Sequence, residues 1–189
     1  MDFSFSKFSA KNKKNAESKG SDNLNAKNKK EKAMKKSSSE EGRALKVVLI
    51  GDTRAGKTNF VTSYIKGTFL ELSATTIGAS YQVKDVVVRG NKAKFHIWDV
   101  SGHERYTTLA PIYFRGADGV IFGYDITNRA SFEKARWWDN FFLSSGGDGN
   151  AVFMLVGYKA DLEADRQVSY SEGETFAREI GASLFFESK

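Results

Sequence analysis

The stretch that most constrains this chain is Gly51-Asp52-Thr53-Arg54-Ala55-Gly56-Lys57-Thr58, set directly behind the apolar run Leu45-Lys46-Val47-Val48-Leu49-Ile50. It fits G-x-x-x-x-G-K-[ST] at the end of a strand, the context in which that pattern carries a mechanism. Gly51 and Gly56 lack a Cβ, so the backbone can turn tightly with its N–H groups facing inward on an anion. A helix opening near Lys57 adds the positive end of its dipole and its unpaired N–H groups. In this geometry Lys57 reaches the β- and γ-phosphates and the Thr58 hydroxyl holds Mg²⁺. A chance glycine turn before an ordinary helix would not place strand, loop and helix in register. The expected ligand is a nucleoside triphosphate.

The 189 residues suit one domain with an extension, and 40% apolar content is enough to fill one core. The sequence has no Cys, which removes disulfides, thiolate chemistry and Cys-ligated zinc, and fits a reducing compartment. No apolar run approaches 18 residues, so no membrane-spanning helix is expected. Residues 1–42 are rich in Lys, Asn and Ser and poor in aliphatics, a composition read as a disordered tail. Nearly all of the formal charge of +6 falls there, with Lys27, Lys29, Lys30, Lys32, Lys35 and Lys36 in one cluster. A solvated tail is one reading. Weak peripheral contact with an anionic membrane is the other, with Phe3, Phe5 and Phe8 adding shallow insertion. Asp2 after the start Met excludes myristoylation. A nucleic-acid role would rest on this tail alone and is set aside.

From residue 43 onward strands and helices alternate. Strands are expected over Leu45–Ile50, Gln82–Arg89, Ala93–Trp98, Gly119–Tyr124, Ala151–Val156 and Leu184–Phe186, with a turn at Arg89-Gly90-Asn91 joining the second and third as a hairpin. Helices are expected over Lys57–Lys66, from a cap at Ser131, and from Ser171 through Ile180. This is an α/β fold of the phosphate-loop type. It has a mostly parallel sheet of about six strands, one antiparallel edge hairpin, helices on both faces and no final helix.

Ligands of such sheets bind beyond the carboxyl ends of the strands. The strand Phe95-His96-Ile97-Trp98 runs into Asp99-Val100-Ser101-Gly102, where Asp99 can hold Mg²⁺ through water and the Gly102 N–H can meet the γ-phosphate. Thr75-Thr76-Ile77-Gly78 offers a hydroxyl to the same metal. Beyond Val156 lies Gly157-Tyr158-Lys159-Ala160-Asp161. The Asp161 carboxylate can accept from the N1–H and amino group of guanine, and the Lys159 stem can lie across the base.

At these residues the chain resembles the Rab small GTPases of the Ras superfamily. The resemblance is carried by Ile77-Gly78-Ala79-Ser80-Tyr81, Lys94-Phe95-His96-Ile97-Trp98-Asp99, Tyr113-Phe114-Arg115-Gly116-Ala117 and Tyr124-Asp125-Ile126-Thr127-Asn128. Leu109-Ala110-Pro111-Ile112-Tyr113 leans toward the early-endosomal branch. The resemblance implies a GTP/GDP switch of vesicle traffic with Mg²⁺. Thr76 would be the switch I threonine, 103–113 switch II, and Tyr81, Trp98 and Tyr113 an aromatic triad read by effectors, although Trp98 also suits plain packing. It further implies an exchange factor, a GTPase activator, a monomer, and a cytoplasmic location or a peripheral one on endomembranes.

Four departures qualify that expectation. His103 follows Gly102 where the family usually has Gln to orient water. Tyr158 stands where N-K-x-D has Asn. The expected S-A-K loop reads Glu187-Ser188-Lys189, and no Cys is present to carry a prenyl anchor. Slow hydrolysis is expected, with Gly102, His103 and Lys57 as the catalytic set, along with weakened nucleotide affinity. The alternative is a degenerate GTPase that holds nucleotide as a binding module without cycling.

Overall fold

The computed structural model describes residues 43–69 and 74–189, so the 1–42 tail lies outside the described residues. Strand β1 (Arg43–Gly51) leads into helix α1 (Lys57–Lys66), and the hairpin strands β2 (Ala79–Val88) and β3 (Asn91–Val100) follow. A 3-10 turn (Glu104–Leu109) and helix α2 (Ala110–Phe114) precede β4 (Gly119–Asp125), and α3 (Arg129–Ser144) comes after it. The chain then forms β5 (Val152–Tyr158), α4 (Tyr170–Glu179) and β6 (Leu184–Ser188).

The sheet order is β2-β3-β1-β4-β5-β6, with β1–β4, β4–β5 and β5–β6 parallel and the hairpin as the antiparallel pair. All seven residues of β4 are buried, as expected of a strand covered on both faces whose sequence is apolar without alternation. Helix α3 turns Phe132, Ala135, Trp138 and Phe142 into the core. There Phe114, Phe122, Phe142 and Phe153 meet at ring separations of 5.0–6.4 Å. Truncating one such ring would cost about 3–5 kcal/mol. The chain divides into two units. The larger, Leu45–Lys84 with Phe95–Lys189, contains the whole of the site, and the hairpin tip Asp85–Lys94 falls in the other.

Two expectations are corrected, both at helix starts, and one segment left without an assignment gains one. Asn128, not Ser131, caps α3: its side chain accepts from the Ser131 N–H, and Ser131 is already inside the helix. Ser169, not Ser171, opens α4, in a reciprocal capping box with Glu172. The segment between His103 and Tyr113 contains a 3-10 turn and the short helix α2, with Pro111 in its first turn, where a proline lacks no needed N–H.

Candidate functional site

The phosphate loop forms where β1 ends. Gly56 has φ 124°, outside the range open to residues with a Cβ, and α1 begins immediately after it. Helix α1 closes at Gly67, whose N–H bonds the Ser63 carbonyl at 2.8 Å. Lys57 is buried, and its ammonium donates to the carbonyls of Gly51 at 3.0 Å and Asp52 at 2.7 Å. Burial lowers its pKa, against the pull of Asp99 and Asp52. A buried ammonium held by neutral carbonyls is a receptor for an anion.

Thr58, Thr76 and Asp99 come from α1, the segment before β2, and β3. Thr58 Oγ1 donates to Asp99 Oδ2 at 2.5 Å and lies 3.0 Å from Thr76 Oγ1. Asp99 is 2% exposed. Burial raises its pKa, opposed by Lys57 and by the two threonine hydroxyls. Its other oxygen, Oδ1, has no hydrogen-bond partner. Two hydroxyls and one carboxylate suit Mg²⁺, which keeps waters and takes phosphate oxygens to complete its octahedron. Among the described residues no cluster of three His, Cys, Asp or Glu offers an all-protein cage.

A cleft of about 310 Å³ opens over these groups. Thr53, Arg54, Gly56, Lys57, Thr58, Thr76, Ser101, Gly102 and Lys159 line it. Gly51, Asp52 and Ala55 belong to the loop's frame, with the Asp52 carboxylate accepting from the Thr53 N–H at 2.8 Å. Arg54 is exposed with φ 59°, a left-handed conformation that costs an Arg about 1 kcal/mol or more. Gly102 packs on the loop so closely that a Cβ would stand 2.3 Å from the Gly51 carbonyl oxygen.

The base-side residues sit differently. Lys159, with φ 64°, pairs through Nζ with Asp125 Oδ2 at 2.5 Å, leaving its stem along the cleft. Asp125 is fixed in turn by Thr127, which donates to Oδ1 from its N–H at 2.8 Å and its hydroxyl at 2.7 Å. Asp161 is exposed on the following turn, and Tyr158 is buried, neither of them among the cleft-lining residues. Sequence reasoning missed two residues here. Asp125 was quoted only as part of a signature, and Phe69, exposed and lining the cleft, could have been picked out as the aromatic just past the Gly67 helix stop.

His103 heads the 3-10 turn, and its Nδ1 accepts from the Arg105 N–H at 3.3 Å. That bond selects the neutral tautomer with hydrogen on Nε2, so the free edge of the ring donates to water and does not accept from it. Elsewhere on this unit Tyr81, Trp98 and Tyr113 form a continuous row, with centroids 4.8 and 5.2 Å apart. Tyr81 is half exposed, and its hydroxyl lies 2.5 Å from His96 Nδ1.

A lysine-bearing phosphate loop at the carboxyl end of β1, with a carboxylate from β3 converging on its threonine, defines a P-loop nucleotide-binding protein. The sequence model of the Ras family matches residues 46–189. Ras-related protein Rab5A of Oryza sativa subsp. japonica is 44% identical over 144 residues, covering 76% of this chain and 70% of that protein. RABF2a of Arabidopsis thaliana is 46% identical over 141 residues (75% and 69%), and Rab-5A of Dictyostelium discoideum 42% over 143 (76% and 70%). The chain belongs to the Ras family. Within it the chain is a Rab small GTPase, and the lean of Leu109–Tyr113 agrees with these Rab5-type relatives.

Proposed function

We propose that this protein is a GTP/GDP-dependent switch of vesicle traffic with slow intrinsic hydrolysis. The observation that carries the reading is the convergence of Lys57, Thr58, Thr76 and Asp99 at the mouth of the loop. Lys57 binds the β- and γ-phosphates in place of its present carbonyl partners. Thr58, Thr76 and Asp99 hold Mg²⁺, which when bound neutralises charge on the phosphate oxygens. The Gly102 N–H meets the γ-phosphate, so Thr76 and Gly102 tie both switches to the triphosphate. Asp161 selects guanine, with the Lys159 stem beneath the base. Effectors read Tyr81, Trp98 and Tyr113, and an exchange factor and a GTPase activator act at the switches. The protein works as a monomer in the cytoplasm or peripherally on endomembranes. Among the described residues no helix is long and apolar enough to cross a membrane.

One observation favours a second reading, a module that holds nucleotide without cycling: the hydrogen bond at His103 Nδ1, which leaves the ring only a donor to offer a water. Both readings require guanine binding. In competition against a fluorescent GDP, unlabelled GDP displaces the probe, ADP does not, and Asp161→Asn erases the difference. Affinity falls short of an Asn-bearing relative by about 1–3 kcal/mol, the worth of one or two lost hydrogen bonds. Equal displacement by ADP would remove Asp161 from the site.

A further inference from the structure

The feature that the nucleotide reading leaves unused is a side chain on the rim of the phosphate loop. Arg54 is the third residue of the turn Asp52–Ala55, which the Ala55 N–H closes on the Asp52 carbonyl at 3.4 Å. With φ 59° it holds the left-handed conformation that favours Gly or Asn at that place.

The loop is fixed on both sides of this residue. Ahead of it, a Cβ on Gly102 would stand 2.4 Å from the Thr53 nitrogen, and Lys57 holds the Gly51 and Asp52 carbonyls. Behind it, Gly56 rests on an aromatic seat. Tyr158, 3% exposed at the end of β5, lies there with Phe60 of α1 at 5.6 Å between ring centroids. A Cβ on Gly56 would stand 2.9 Å from Tyr158 Cβ, and one on Gly123 of β4 would stand 2.3 Å from Tyr158 Cε2. Packing therefore keeps the strained residue in place, and strain held in this way points to function.

The charges of the cleft say which function. Arg54, Lys57 and Lys159 all line it. Lys57 donates to two carbonyls, and Lys159 is paired with Asp125. Arg129, Arg136, Arg166 and Arg178 each have a carboxylate partner. Arg54 is exposed, and among the described residues its guanidinium has no hydrogen bond or ion pair. A merely solvated arginine could stand at any exposed position. This one stands where the backbone disfavours it and where its planar fork faces a site for phosphate oxygens, which that fork matches two at a time.

We propose that the Arg54 guanidinium pairs with the phosphate chain of the bound guanine nucleotide, as a second cation beside Lys57 that slows its release. The inference rests on the nucleotide reading above. It returns on the phosphate side part of the affinity that Tyr158 forfeits on the base side.

The test uses the full chain with Arg54→Gly, which suits the left-handed backbone, and Arg54→Gln, which keeps a long polar side chain without the charge. The first readout is the rate at which fluorescent GDP leaves the loaded protein. Both variants should release it about tenfold faster at low salt, the worth of one charge-assisted hydrogen bond, and high salt should narrow the gap. Release at the parent rate from both overturns the proposal. So does a change in Arg54→Gly alone, or a gap that high salt leaves intact, because backbone shape and not charge would then be the cause. The second readout is the rise in melting temperature given by magnesium pyrophosphate, which carries phosphates and no base. The rise should be larger in the parent than in Arg54→Gln, and equal rises overturn the proposal. A parent that is stabilised by pyrophosphate but binds no GDP would sink the nucleotide reading alone. A parent that binds neither would sink both.

Discussion

His103 shows how a single hydrogen bond sets the chemistry open to a side chain. Its Nδ1 is spent on the Arg105 N–H at 3.3 Å, so the ring offers water a proton where hydrolysis needs an acceptor in line with the γ-phosphate. A carboxamide at this position can accept through oxygen and donate through nitrogen at once. His103→Gln should therefore raise single-turnover hydrolysis on pre-loaded protein by about tenfold, a barrier change of ~1.4 kcal/mol. His103→Ala should match the parent. An Ala variant much slower than the parent would show that the imidazole does position water. If neither parent nor His103→Gln turns over when loaded, the non-cycling module is the correct reading.

At the scale of elements, helices α3 and α4 are tied together at their N-terminal ends. Helix α4 begins at the Ser169–Glu172 capping box, and Glu172 also receives Arg129 Nη1 from the start of α3 at 2.5 Å. The Arg129 guanidinium, and after it the Ser169 N–H and hydroxyl, hold the Glu172 carboxyl down at about 2 against an ordinary 4.5. A depressed folded value makes its contribution fully present above pH 4.5 and lost as pH falls toward 2. Glu172→Gln should flatten acid unfolding across that window. At neutral pH it should remove ~1 kcal/mol of cap stability, or roughly 2–4 °C of melting temperature. The group is 41% exposed, so salt should reduce the effect. An acid limb unchanged in the variant would show that this carboxylate does not couple to folding.

Much of this architecture was legible in the sequence for local reasons. The run before Gly51, the Arg89-Gly90-Asn91 turn and the Gly67 stop each declare themselves within a few residues, and Lys57, Thr58 and Asp99 are picked out by their offsets, whereas Thr76 is preferred to Thr75 only through the Rab resemblance. The 3-10 turn and α2 were not legible, because Glu104–Thr108 has no apolar period and Pro111 reads as a breaker until its place in the first turn is known. The helix caps slipped because Asn128 and Ser131, like Ser169 and Ser171, are rival capping residues within one turn. The burial of Tyr158 could not be read from its neighbours in sequence at all. It depends on Gly56 and Gly123, which reach it from other elements.

Over the whole molecule, charge is distributed unevenly: the cluster Lys27–Lys36 lies in the tail, and acids and bases nearly balance from residue 43 onward. Attraction of the Lys-rich tail to an anionic bilayer should therefore be mainly electrostatic, about 1 kcal/mol for each Lys at the surface. Flotation with phosphatidylserine liposomes should show binding at low salt, loss at high salt, and loss on deletion of residues 1–42. Binding that survives either treatment would point to another anchor. The aromatic seat beneath the phosphate loop also constrains the history of the chain. Positions 56, 123 and 158 are far apart in the sequence but form one seat, and a Cβ at either glycine would collide with the ring. An ancestor with any larger residue at position 123 had to lose it before tyrosine could enter at 158. A descendant that keeps this tyrosine cannot regain a side chain at 123. The packing thus orders the two changes: the glycine at 123 comes before the tyrosine on the way in and outlasts it on the way out.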